Sequence, residues 1–288
     1  MPVFNRSNGT SLYYEIINDT NRTGDTCLLL GGLTRDCSIW RKVVPSLRKD
    51  YQVILLDNRD AGQSTSADRE YEISDLAEDV AELIRGMHFC PAHIIGHSMG
   101  GFMAIHLAAK HPEIVKTLTL CNTAEKQVAA GIEYLKNRIA LIEAQPSDGA
   151  TTANPDDIIA VMDKIYAPES LLNKAFVEEI IAHESSNKYP QSASSFKRQA
   201  QACIKHDASN LLTKINCPTL VITGEKDKFY TSERAYDLAS KIKCAKTVVI
   251  PNAAHMIQIE QPELLCAAFN KFLSLYEVSS GYSTFPLQ

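Results

Sequence analysis

The 288-residue chain carries no apolar stretch approaching membrane-spanning length, so its sequence offers no candidate spanning helix. It has no basic run and a net charge of −5, so neither nucleic acid nor a membrane surface is an expected partner. The eight cysteines form no C-x-x-C pair and no metal-ligand spacing; they are scattered at Cys27, Cys37, Cys90, Cys121, Cys203, Cys217, Cys244 and Cys266. Met1 to Ser7 lacks the apolar segment of a signal peptide, so a cytoplasmic location with reduced, mostly buried thiols is expected. Internal repeats and low-complexity tracts are missing too. What remains is ordinary for a globular protein with a real core: 45% hydrophobic and 22% charged residues. The length fits one large α/β domain with an insertion, or two small domains.

Short apolar runs alternate with helical patterns. Leu12 to Ile17, Thr26 to Leu30, Tyr51 to Asp57, Ala92 to Ile95 and Val115 to Cys121 read as strands. A helix carrying Trp40, Val43, Val44 and Leu47 lies between the second and third of these. After the third, an amphipathic helix that Ser74 can cap sets Leu76, Val80, Leu83, Ile84 and Met87 on one stripe. This alternation predicts a mostly parallel, doubly wound sheet covered on both faces, with right-handed crossovers. From about Asn122 to Asp207 only helical patterns occur, among them Val128 to Ala144 and Asp156 to Tyr166. Strands resume at Thr219 to Thr223 and Thr247 to Ile250. The expected organisation is a core from 1–121 and 208–278, a helical cap from 122–207, and a flexible tail from 279–288. Such a cap would sit over the strands' C-terminal ends, where α/β sheets bind ligands.

Gly96-His97-Ser98-Met99-Gly100-Gly101 falls between a predicted strand and a packed helix, Phe102 to Ala109. A serine on a tight strand-to-helix turn, with small residues on both sides, reads as a nucleophile elbow. The glycines let the turn close, and the amides that follow lie at a helix N-terminus that favours an anion.

A serine hydroxyl needs a base, and the base an orienting acid. Asp227 follows the strand ending at Thr223, and His255 follows the strand ending at Ile250, on the sheet edge that carries Ser98. Glu225 is the competitor for Asp227 but sits earlier in its turn. Asn122, where another acid could stand, cannot carry the charge. His97 reads as a packing or hydrogen-bonding residue, and His206-Asp207 as a local pair. The amide of Met99 is one expected oxyanion donor, and that of Leu33, after Gly31-Gly32, the other.

Over nearly its whole length the sequence resembles the α/β-hydrolases. The resemblance rests on Leu30-Gly31-Gly32 with Trp40 following, Asp57 to Ser64, Gly96 to Gly101, Pro218 to Asp227, and Ala254-His255. It implies an α/β-hydrolase fold with an inserted helical cap. Arg59, within the Asp57 to Ser64 turn, is expected to be held by carboxylates or carbonyls. Cys121 to Ala124 and Asn137-Arg138-Ile139 resemble the 3-oxoadipate enol-lactonase group, which shades into small carboxylesterases. Serine at position 98 differs from the aspartate of haloalkane dehalogenases and epoxide hydrolases. The implied activity is cofactor-free, metal-free hydrolysis of a small-molecule carboxylic ester of a small or medium acyl group, with Ser98 as nucleophile, His255 as base and Asp227 as acid, and with enol-lactone hydrolysis as an alternative. Thioester and C–C bond hydrolysis use the same triad, and a ligand receptor on a hydrolase scaffold stays open. Expected pocket walls are Trp40, Phe229 and Met256, with Tyr134 and Arg138 from the cap. An inward Arg138 would favour an anionic substrate.

Overall fold

A computed structural model of the chain describes residues 2–17, 25–144 and 155–276. The tail expected at 279–288 lies outside them. Among the described residues, eight strands form one sheet: β1 (Val3–Asn5), β2 (Ser11–Ile17), β3 (Thr26–Leu30), β4 (Gln52–Leu56), β5 (Ala92–His97), β6 (Val115–Cys121), β7 (Thr219–Gly224) and β8 (Lys246–Ile250). Their order is β1-β2-β4-β3-β5-β6-β7-β8. The pairs β1–β2 and β2–β4 are antiparallel, and the rest are parallel. The alternating runs had implied this mostly parallel sheet. The antiparallel edge is an addition that periodicity does not distinguish.

The helices are α1 (Val44–Leu47), α2 (Ile73–Gly86), α3 (Met99–Lys110), α4 (Ala129–Glu143), α5 (Pro155–Ile165), α6 (Pro168–Leu172), α7 (Lys174–Ser185), α8 (Ala193–Lys205), α9 (Ser232–Ser240), α10 (Ile257–Glu260) and α11 (Pro262–Leu273). Strand alternation assigns the core. Leu28, Leu30, Ile54 and Ile94 face one side, against Leu76, Val80 and Phe102 of α2 and α3. Cys27, Leu29, Val53 and Ile95 face the other, against Leu47 and against Leu265 and Phe269 of α11. Helix α3 is buried almost all round because it lies in the middle of the sheet, beside β5 and β6.

Two local expectations change. The helix foreseen from Trp40 to Leu47 is a 3₁₀ turn, Cys37–Trp40, followed by the single turn α1, because Pro45 can stand only in a first helical turn. Helix α2 begins after Glu72 rather than Ser74. The Asp75 carboxylate accepts the Glu72 amide at 2.8 Å, and Ser74 sits inside the first turn.

Between β6 and β7 the chain leaves the sheet for helices α4 to α8. The departure and return are pinned together by an antiparallel bridge between Lys126 and Asp207. No helix among the described residues is long and apolar enough to cross a membrane.

Candidate active site

Ser98 occupies the sharp turn between β5 and α3, with φ 55° and ψ −120°. Positive φ in a residue with a Cβ costs on the order of 1–3 kcal/mol, which the surroundings must overcome. They do so by close packing. A Cβ on Gly96 would overlap the Gly100 carbonyl, and one on Gly100 would overlap the Leu30 carbonyl. The Ser98 amide donates to the Cys121 carbonyl at 2.9 Å, and the Thr123 hydroxyl donates to the Ser98 carbonyl at 2.9 Å.

The turn aims the serine at His255. Ser98 Oγ lies 3.1 Å from His255 Nε2, and His255 Nδ1 lies 2.9 Å from Asp227 Oδ2. An ionised carboxylate only accepts, so Nδ1 carries the ring proton and Nε2 offers its lone pair to the serine hydroxyl. Asp227 is buried, and burial by itself would raise its pKa. The adjacent His255 and donors from Asn122 Nδ2 and the Phe229 amide outweigh this and hold it below the ordinary carboxylate range. The Tyr230 amide also donates to its Oδ1, at 3.1 Å.

His97 supports this line from behind. Its Nε2–H donates to the His255 carbonyl at 2.7 Å, and the two rings lie 4.9 Å apart. Burial, and then the neighbouring His255, lower its pKa to about 3, so it is neutral at physiological pH. The rivals lie elsewhere. Glu225 is an exposed loop residue 3.3 Å from the Asn252 amide. His206 stacks on Phe102, and Asp207 accepts from Ser209.

A cavity of about 110 Å³ opens in front of Ser98. Leu33, Met99, Tyr134, Arg138, Phe229 and Met256 all line it. Phe229 stands edge-on to His255 and packs against Tyr134. Trp40 does not line the cavity, contrary to expectation. The 3₁₀ turn folds its indole into the core, edge-on to His97 at 6.4 Å, so it backs the site from the far side. Arg59 ion-pairs with Asp79 and packs over Tyr71, away from the cavity.

The loop bearing Leu33 is fixed from several directions. Asn58 Nδ2 donates to the Gly31 carbonyl at 3.0 Å, and the Thr34 amide donates to Gln199 Oε1 of α8 at 3.2 Å. Arg35, on the cavity wall, pairs with Glu184 of α7 at 2.6 Å. Among the described residues, neither the Leu33 amide nor the Met99 amide donates to a protein acceptor.

Sequence reasoning passed over several of these neighbours. Asn122, which cannot supply a carboxylate itself, donates to that of Asp227. Phe196 and Gln199 carried no local signal because helix periodicity does not say where a helix docks, and Arg35 and Tyr230 carried none because they lie in loops without periodicity.

The match to known proteins follows the same elements. The model of the alpha/beta hydrolase fold family matches residues 26–262. The chain belongs to that family. This α/β-hydrolase superposes on the enol-lactonase from Burkholderia xenovorans LB400 with a TM-score of 0.84, at 25% identity, over 95% of this chain and 100% of that one. It is 24% identical to (E)-2-((N-methylformamido)methylene)succinate hydrolase of Acinetobacter baylyi, over 93% of this chain and 95% of the relative. It is 28% identical to 2-hydroxy-6-oxo-6-(2'-aminophenyl)hexa-2,4-dienoic acid hydrolase of Metapseudomonas resinovorans, over 82% and 78%. These relatives are an enol-lactonase and two hydrolases, and they support hydrolase as the activity class of this α/β-hydrolase.

Proposed function

We propose that the protein is a serine hydrolase that cleaves a carboxylic ester of a small or medium acyl group through an acyl-enzyme on Ser98. The observation that carries this reading is the hydrogen-bonded line from Asp227 through His255 to Ser98, ending at the cavity. Ser98 Oγ bonds to the ester carbonyl carbon while His255 Nε2 takes its proton. The tetrahedral oxyanion lies against the Leu33 and Met99 amides. Collapse breaks the carbon–oxygen bond to the alcohol, which leaves with the proton from His255. Water, deprotonated by the same imidazole, then attacks the acyl-enzyme and frees the acid and Ser98. Asp227 keeps the imidazole in its tautomer and offsets its charge. Helices α4 to α8 act as a cap whose apolar side chains shape the acyl site.

A second reading has its own observation. Arg138 lines the cavity beside Arg35, whose charge Glu184 already offsets, and this favours an ester or enol-lactone bearing a carboxylate. The first test is hydrolysis of p-nitrophenyl esters from acetate to decanoate by the wild type and Ser98→Ala in parallel. Turnover with a chain-length optimum, lost in the variant, supports the ester reading. Equal, negligible rates in both would move a specialised substrate or a receptor role to the front.

A further inference from the structure

The main chain on both sides of His255 is held from outside the relay. Before it, the Ala254 amide donates to Glu260 Oε2 at 2.8 Å, and the Ala254 carbonyl accepts from Asn122 Nδ2 at 3.1 Å. After it, the Met256 amide donates to the Ile165 carbonyl, the last residue of α5, at 3.2 Å. The other oxygen of Glu260, Oε1, accepts the Ala167 amide at 2.7 Å and the Ser170 hydroxyl at 2.8 Å. Ala167 and Ser170 lie at the start of α6. One largely buried carboxylate therefore joins the loop carrying the base to the helical cap.

Glu260 is absent from the cavity wall, so it can influence the reaction only through what it holds. Three donors converge on its two oxygens, which suits an acceptor-only carboxylate. Ile165 and Met256, which bond to each other through the main chain, both line the cavity. A group pressing on the cap wall thus pushes on the backbone beside His255, and with that backbone fixed the imidazole retains little besides its own side-chain torsions. A base displaced by about 1 Å loses up to a hundredfold in rate.

We propose that Glu260 is a positioning residue, which sets the main chain before His255 and couples the cap to the base. The inference rests on the reading of His255 as general base to Ser98.

The test measures kcat and KM on one p-nitrophenyl ester for the wild type, Glu260→Gln, Ser170→Ala and the double variant. Rates are normalised to active sites titrated by the nitrophenolate burst of a p-nitrophenyl phosphonate, so that poorly folded protein does not count. Glu260→Gln is expected to lower kcat per titrated site by about tenfold or more, with KM changed less than about twofold. Ser170→Ala is expected to lower it less, and to add little to Glu260→Gln, because both act through one carboxylate. A purely structural Glu260 would lower the melting temperature and the titrated fraction while kcat per site held, and that result overturns the inference. So does an additive double variant. If the wild type neither titrates nor turns over, the underlying reading of Ser98 and His255 fails, and the inference falls with it.

Discussion

Asn122 Nδ2 lies between Asp227 Oδ2 and the Ala254 carbonyl, at 2.5 and 3.1 Å, so one amide ties the Asp227 carboxylate to the loop of His255. Asn122 directly follows β6 with φ 47°, a left-handed conformation that asparagine tolerates better than most residues. Its side chain reaches the site where an acid at the same place could also have stood. Replacing it removes a hydrogen bond to a charged group, worth about 1.5–3 kcal/mol. Asn122→Leu is expected to lower kcat by about tenfold with little change in KM. Steady-state kinetics check this, and an unchanged kcat would remove Asn122 from the account.

The elbow makes a second prediction. A methyl group at position 100 would meet the backbone of Leu30 rather than the end of a mobile side chain, so neither partner can give way cheaply. Overpacking of this kind costs about 1–3 kcal/mol or more. Gly100→Ala is expected to lower the melting temperature and abolish the proposed esterase activity together. Wild-type activity in a fully folded Gly100→Ala would show that the elbow has slack the packing denies.

Acid should weaken the fold through buried imidazoles. Burial, and then nearby His106, lower the pKa of His206 to about 3, whereas an unfolded imidazole titrates near ~6.5. Its folded pKa is depressed, so the stability it contributes is present above ~6.5 and is lost as pH falls toward 3. His97 has the same sign. Asp57 opposes them: burial raises it to about 6, so its contribution is greatest below the carboxylate range and is lost as pH rises through 6. Urea midpoints should fall from pH 7 to pH 4.5, and fall less in His206→Phe, which keeps a ring against Phe102. An identical fall in both proteins would discount His206.

The cavity cations make a specificity prediction. If Arg138 faces an acidic group on the substrate, Arg138→Leu should cut kcat/KM about tenfold or more on a monoester of a dicarboxylic acid. A neutral ester of the same length should change less. Equal losses on both esters would assign Arg138 to packing over Phe196, where its guanidinium lies 5.6 Å from the ring.

How much of this was legible depended on how far apart in sequence the partners lie. The elbow could be read from Gly96 to Gly101 because its packing demands are local. Asp227 and His255 could be placed because loops after parallel strands share one sheet edge, and there Asp227 meets His255 and His255 meets Ser98. Trp40 could be read as buried but not as facing away from the cavity, since a 3₁₀ turn rather than a full helix set its direction. Least legible were the ties between the segment from β6 to β7 and the loops around Ser98 and His255: Arg35 with Glu184, Thr34 with Gln199, and Glu260 with Ala167. Those contacts join segments about a hundred residues apart or more, and periodicity fixes a helix face without saying what it meets.

The central claim is that Ser98 is the nucleophile, activated by His255. The most direct test treats the protein with a fluorophosphonate and locates the adduct by peptide mass spectrometry, in the wild type and in His255→Ala. The account predicts one adduct, on Ser98, formed at least about a hundredfold more slowly without the imidazole. An adduct on another residue, or labelling of Ser98 at the same rate in both proteins, would contradict it.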